Sequence, residues 1–309
     1  MALPTDFAIP DSLVSRVAPL GEHGKAWLAS LPSIVGACLT SWSLELEGPV
    51  EQLWYNYVAK VRLGSEALIL KVCYPDRDIG LEADALRFFD GRGCVRLLAF
   101  DSARRALLLE RADPGLMIET LRDPAVEITA AVQLMQTLWR APPPKHRFPS
   151  ALRWLEAALD PVYLPGTKAR FQWVMTALER AYELTADARH LYLMHGDLHE
   201  GNILSAEREP WLAIDPLAIE ADAAWEVGGF IPSTLKRDAE SERRRAARLR
   251  AHQFADELGF DRERVYAAAA GASLYAAYEK LTDDVPANRS WHAYMACAEA
   301  LTVNGDLSR

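Results

Sequence analysis

Cysteine is scarce in this chain, and the four present, Cys38, Cys73, Cys94 and Cys297, are widely scattered without a Cys-x-x-Cys pair. A disulfide framework or a thiolate metal site is therefore not expected, and reduced thiols in a core are. Long apolar runs are also missing. The longest, Ala267 to Tyr278, is Ala-rich and far short of the roughly 20 residues needed to span a bilayer, so it reads as a packed helix. The first residues, Met1-Ala2-Leu3-Pro4-Thr5-Asp6, lack the basic and apolar segments of a secretion signal, which points to the cytoplasm and away from a membrane partner. Positive charge is in deficit too: 34 basic against 43 acidic residues leave a formal charge of -9. Such a balance steers cationic small molecules inward and argues against nucleic acid. The arginines between Lys236 and Arg250 do not change this, because Glu240 and Glu242 interleave with them as on a solvated helix face. A metal hydrolase signature is absent: His195 and His199 are flanked by glycines that oppose a helix, and there is no H-E-x-x-H.

What the chain does have is a change of texture near residue 112. From about Ser41 to Glu110 the sequence is rich in β-branched and aromatic residues broken by turn signals, whereas helical spacing dominates after Pro114. Strands are expected at Trp42-Glu47, Tyr55-Arg62 and Ala67-Val72, a helix over Ile79-Asp90 stopped by Gly91, and a hairpin of Val95-Phe100 with Ala106-Glu110. Ala112-Asp113-Pro114-Gly115 suits a hinge. Beyond it, Asp123 with Pro124 starts a helix reaching Trp139. Further helices are expected near Ala151-Leu159, Lys168-Leu184, Lys236-Leu258, Arg262-Leu281 and Trp291-Leu301, with Trp139, Trp154 and Trp173 in a core. At 309 residues the expected organisation is an α+β chain of two lobes. Residues 1–111 form a small antiparallel-sheet lobe with one helix, and 112–309 a larger, mainly helical one.

The most informative stretch is His195-Gly196-Asp197-Leu198-His199-Glu200-Gly201-Asn202, followed by Asp215 at the end of Trp211-Leu212-Ala213-Ile214. An Asp that orients an acceptor hydroxyl, an Asn five positions later and a second Asp at a strand end are the parts phosphoryl transfer requires. Asp197 then accepts a hydrogen bond from the acceptor hydroxyl and aligns it, and Asn202 and Asp215 offer Mg²⁺ hard oxygen ligands. His195 braces the loop. Lys71 ends an apolar strand where an unpaired ammonium is costly, and Glu82, eleven residues on, can hold it toward the phosphates of ATP. The phosphate-covering loop falls at Glu47-Leu53 and lacks G-x-G-x-x-G. Main-chain groups of Glu110, Arg111 and Ala112 are where an adenine edge is expected.

With these residues in place, the chain resembles the aminoglycoside and hydroxyurea phosphotransferases of the protein-kinase-like fold, most of all their streptomycin 6-kinase branch. The likeness rests on His195-Gly196-Asp197-Leu198-His199-x-Gly201-Asn202-Ile203-Leu204, on Trp211-Leu212-Ala213-Ile214-Asp215-Pro216, and on Ala106-Leu107-Leu108-Leu109-Glu110-Arg111. It implies a bilobal kinase fold, ATP and Mg²⁺ as cofactors, and a small hydroxylated, cationic acceptor such as streptomycin. It also implies Asp197 as base, Asn202 and Asp215 as metal ligands, and Lys71 with Glu82 on the phosphates. Leu217 stands where members of the branch commonly carry Lys, which puts the acceptor in question. A cationic acceptor calls for carboxylates, and Glu220, Asp222, Glu226 and Glu279 are the candidates, although Asp222 can instead brace the catalytic loop or cap the helix through Trp225. Two other readings stay open: a kinase of a sugar, amino sugar or other metabolite, and a non-catalytic nucleotide-binding relative.

Overall fold

The computed structural model describes residues 7–51, 53–76, 78–159, 172–186, 191–282 and 289–302. The chain divides into two compact units, Met1–Gly115 and Leu116–Arg309.

In the first unit, helices α1 (Asp11–Val17) and α2 (Glu22–Ser41) precede five strands, β1 (Glu45–Pro49), β2 (Tyr57–Leu63), β3 (Glu66–Val72), β4 (Leu97–Asp101) and β5 (Ala106–Glu110). Helix α3 (Ile79–Phe89) falls between β3 and β4. The sheet is antiparallel, with order β1-β2-β3-β5-β4. The β2–β3 hairpin closes from Tyr57↔Val72 to Leu63↔Glu66, so Gly64 and Ser65 make the turn. Strand alternation sends Tyr57, Ala59, Val61, Leu68, Leu70 and Val72 into one core with Leu13, Val17, Leu31, Val35 and Leu39 of the two leading helices.

Those two helices go beyond the single helix expected for this lobe, which is α3. Helix α2 hides from periodicity because it contains Gly24, Pro32 and Gly36. It runs to Ser41 with Trp42 N–H still donating to Cys38 O at 3.0 Å, so the first strand starts at Glu45 rather than at the expected Trp42. Helix α3 is capped by Asp78, whose side chain accepts from Gly80 N–H at 2.9 Å. It ends one residue earlier than expected, on left-handed Asp90.

Strand β6 (Pro114–Met117) spans the boundary, and α4 (Pro124–Leu138), capped by Asp123, follows in the second unit. Then come α5 (Ala151–Leu159), α6 (Gln172–Ala186), β7 (Tyr192–Met194), β8 (Ile203–Ala206), β9 (Trp211–Ala213) and β10 (Ile219–Ala221). Among the described residues four helices follow: α7 (Ala224–Leu235), α8 (Arg243–Leu258), α9 (Arg262–Thr282) and α10 (Arg289–Thr302). β7 pairs with β10, while β6, β8 and β9 form a second small sheet. The Ala-rich run of α9 exists for close approach. A Cβ on Gly228 of α7 would stand 2.6 Å from Ala272 Cβ and 2.7 Å from Ala269 Cα, so only small residues let these helices meet.

Helix α7 went unassigned in the sequence because Gly228, Gly229 and Pro232 interrupt a stretch that is apolar on every side. The start of the helix expected at Lys168 and the side chain of Trp173 lie outside the described residues. The Arg-rich stretch is not the evenly solvated face expected. Arg243 and Arg250 are buried, Arg237 and Arg250 pair with Glu127 and Asp238, and Arg244 stays exposed in a surface pair with Glu299. All four cysteines are buried, and none is in a disulfide among the described residues. Among the described residues no helix is long and apolar enough to cross a membrane.

Candidate active site

Each unit carries one group of the expected residues. In the first, Lys71 sits on the central strand β3, opposite Val58 of β2 and Leu107 of β5, and is 3% exposed. Its ammonium donates to Glu82 Oε1 at 2.7 Å, from the first turn of α3. A buried ammonium needs such a partner. At the end of β5, Glu110 is tied down twice: its N–H donates to Arg96 O, and its carboxylate accepts Arg96 N–H, each at 2.9 Å. That commits the Glu110 N–H internally and removes it as the donor to a base edge. Glu47 accepts from Arg62 at 2.5 Å and from Arg111 at 2.6 Å, fixing the segment that leads to Ala112.

The second group is organised around His195, which is fully buried. Ile214 O can only accept, so the 2.8 Å contact puts the proton on Nε2, and Nδ1 accepts from Asp197 N–H at 3.3 Å. The His195 carbonyl accepts from Leu217 and Ala218 N–H at 3.0 and 2.8 Å. One residue thus ties the Asp197 loop to the segment around Asp215. Gly196, at φ 83°, has no room for a side chain: a Cβ would lie 3.0 Å from Ile219 Cγ2.

The hairpin of β8 and β9 pairs Ile203 with Ala213, and Ile214 N–H donates to Asn202 O at 3.0 Å, so Asp215 stands one residue beyond Asn202's rung. Asp215 adopts a left-handed φ of 58°, a conformation tolerated mainly by Asp and Asn outside glycine. Asn202 Nδ2 donates to Asp197 O at 2.9 Å, which orients the amide and leaves Oδ1 as its acceptor atom. One carboxylate and one amide oxygen on adjoining backbone make a donor set suited to a hard divalent ion.

Two of the carboxylates expected to line an acceptor pocket do something else. Glu226, 2% exposed on α7, accepts Gly196 N–H at 2.8 Å on Oε1, and His195 N–H at 3.1 Å and Trp139 Nε1–H at 3.3 Å on Oε2. It is a buried cradle for the catalytic loop. Asp222, 4% exposed, caps the turn through Ala224 N–H at 2.9 Å and takes Arg264 at 3.0 and 2.6 Å, so it is no pocket residue either. Glu220 on β10 remains partly accessible, 3.6 Å from His146 Nε2. Of Glu279 only its place on α9 is described. The roles of Glu226 and Trp139 had one readable signal: a charged residue inside a wholly apolar stretch must find buried donors.

Burial pushes the His195 imidazole down to about 4 and the Glu226 carboxyl up to about 7. The signs oppose each other. His195, lowered from 6.5, contributes stability that is present above pH 6.5 and lost as pH falls toward 4. Glu226, raised from 4.5, contributes stability that is present below pH 4.5 and lost as pH rises through 7. Each effect is about 3 kcal/mol, so the two offset in the native protein. The Glu226→Gln variant is expected to lose about 3 kcal/mol relative to wild type on acidification from pH 7 to 4.5. His195→Gln should shift the opposite way between pH 4 and 6.5. Denaturant unfolding of all three proteins across this range checks both, and parallel curves would dismiss the assigned titrations.

The five-stranded antiparallel unit with its Lys–Glu pair, and the mainly helical unit with its His-Gly-Asp loop, define a kinase-like phosphotransferase. Comparison with known proteins makes the class particular. Residues 41–280 match the model of the family described as aminoglycoside/hydroxyurea antibiotic resistance kinase. A streptomycin 6-kinase of Streptomyces glaucescens is 30% identical over 270 residues, covering 83% of this chain and 85% of that one. A hydroxyurea phosphotransferase of Kitasatospora aureofaciens is 35% identical over 220 residues, 67% of this chain and 62% of that one. Among solved structures, aminoglycoside phosphotransferase APH(4)-Ia superposes with a TM-score of 0.62 at 17% identity, covering 89% of this chain and 99% of that one, a likeness of fold. The chain belongs to the aminoglycoside/hydroxyurea antibiotic resistance kinase family.

Proposed function

We propose that the protein is an ATP- and Mg²⁺-dependent O-phosphotransferase acting on a small hydroxylated acceptor, with streptomycin-type aminoglycosides the leading class. The observation that carries this reading is the loop cradled by Glu226, which presents Asp197 and Asn202 beside the strand end that bears Asp215. In this reading residues 1–111 hold the nucleotide and 112–309 hold the metal and the acceptor. Lys71, kept charged and oriented by Glu82, binds phosphate oxygens, and the segment from Glu110 to Ala112 meets the adenine edge, with Ala112 N–H the donor. Asn202 and Asp215 would hold Mg²⁺, which when bound would supply positive charge to neutralise the phosphates. Asp197 accepts a hydrogen bond from the acceptor hydroxyl and points its oxygen at the γ-phosphorus. The new O–P bond forms as the bond to the β-phosphate bridge oxygen breaks, ADP leaves, and the hydroxyl proton passes to Asp197. The need for ATP places this work in the cytoplasm.

Support for an aminoglycoside comes from the family and from the streptomycin kinases among the relatives. Leu217, whose apolar side chain stands where the branch commonly carries Lys, keeps a second acceptor class open, a sugar, amino sugar or other small metabolite. Incubating the protein and Mg²⁺-ATP with streptomycin, other aminoglycosides, hydroxyurea and sugars, then reading an added phosphate by mass spectrometry, decides the matter. Streptomycin is expected to turn over fastest. Phosphorylation of sugars alone would transfer the reading to the second class, and modification of no acceptor would defeat both.

A further inference from the structure

Glu200 occupies the variable position of the catalytic-loop motif, between Asp197 and Asn202, on the 3₁₀ turn Glu200–Asn202. It is 5% exposed, an unusual place for a carboxylate on a loop. Both of its ends are tied down. Its N–H donates to Ser233 Oγ at 3.3 Å, and that hydroxyl donates to Phe230 O at 2.7 Å on α7. Its carboxylate takes Nη2 of Arg237, which lies just past the end of α7. The same guanidinium holds Glu127 of α4, 0% exposed, through Nη1 at 2.9 Å and again through Nη2.

Two buried carboxylates side by side repel, and burial penalises each. A single guanidinium between them is what allows both to remain, and its fixed fork sets where they sit. Stability alone does not require that one of the pair belong to the catalytic loop. From Glu200 the connection to the chemistry is short. Asn202 N–H donates to His199 O at 2.9 Å, closing the turn that contains Glu200, and Asn202 Nδ2 donates to Asp197 O. Any rotation of the turn therefore changes where Asn202 Oδ1 points relative to Asp197.

We propose that Arg237 is a positioning residue which, through Glu200 and against the anchor of Glu127, sets the orientation of Asn202 in the catalytic loop. The inference rests on the proposed function, since it treats Asn202 as a metal ligand. The sequence offered both halves without joining them: Glu200 was the unassigned position of the motif, and Arg237 one of a run of arginines read as surface.

The test is Arg237→Lys, which keeps the charge but not the fork. Partners that orient a metal-binding side chain typically contribute about 10- to 100-fold in metal affinity or activity. The variant is expected to need about 10-fold more Mg²⁺ for half-maximal turnover, with an unchanged KM for the acceptor. Mn²⁺ titration in the presence of a non-hydrolysable ATP analogue, followed by electron paramagnetic resonance, should show the same weakening without catalysis. Arg250→Lys, which alters a neighbouring buried pair with Asp238 at 2.5 Å, serves as the control and should leave both readouts at wild-type values. If Arg237→Lys does not fold, Glu200→Ala, which removes the acceptor of Arg237 on the turn and keeps the turn's main-chain bonds, carries the same prediction. Wild-type Mn²⁺ affinity and Mg²⁺ dependence in the folded variant would overturn the inference. A wild-type protein that transfers phosphate to no acceptor would instead overturn the function on which it rests.

Discussion

Replacing Asp197 with Ala is expected to lower kcat by about three orders of magnitude, the range a positioned general base contributes, while nucleotide affinity stays within about twofold of wild type. The structure makes this substitution unusually clean. Asp197 meets its loop neighbours through main-chain groups, its N–H donating to His195 Nδ1 and its carbonyl accepting from Asn202 Nδ2. Alanine preserves both groups, so the loop keeps its shape and only the carboxylate is lost. Single-turnover kinetics with calorimetric titration of a non-hydrolysable ATP analogue separates chemistry from binding. Turnover near the wild-type rate would strip Asp197 of its role. A matched loss of nucleotide affinity would mean that the carboxylate serves the metal instead.

Much of the architecture could be read from local pattern. The alternation of Tyr57, Ala59 and Val61, with a Gly–Ser turn after it, specifies a hairpin without outside help. The spacing from Asp197 to Asn202, and the apolar run ending at Asp215, likewise belong to short segments whose geometry is largely local. What sequence reasoning could not supply was the partner of each carboxylate. Glu226 and Asp222 were offered as acceptor ligands because a carboxylate in a helical lobe is chemically suited to a cation. Asp222 finds Arg264 forty-two residues away, and Arg237 finds Glu127 one hundred and ten residues away. Such pairings depend on how helices pack, and helix packing here follows from Gly228 and Ala272 sharing one tight contact. Whether a charged residue faces ligand or anchors backbone is thus a tertiary property, and composition cannot separate the two.

Removing the Glu226 side chain as Ala should produce the largest structural penalty of any single site change considered. Its two oxygens satisfy three donors, the N–H groups of His195 and Gly196 and the indole of Trp139. A buried donor left without an acceptor costs about 1 to 3 kcal/mol, so two stranded main-chain donors alone destabilise by roughly 2 to 6 kcal/mol, against a total stability of about 5 to 15 kcal/mol for a typical domain. The melting temperature is expected to fall by about 10 °C. Since the stranded groups belong to His195 and Gly196, the residues that carry the chain into Asp197, kcat should fall with it. Glu226→Gln divides the two effects. Oxygen aimed at His195 and Trp139 leaves the amide NH₂ facing the Gly196 N–H, donor against donor, while the reverse orientation strands two donors instead of one. Either way at least one contact survives, so Glu226→Gln should melt between wild type and Glu226→Ala and retain measurable turnover. Melting curves and kcat for the three proteins at pH 7.5 provide the comparison. If Glu226→Ala melted and turned over like wild type, the catalytic loop would have to be held by something other than this carboxylate.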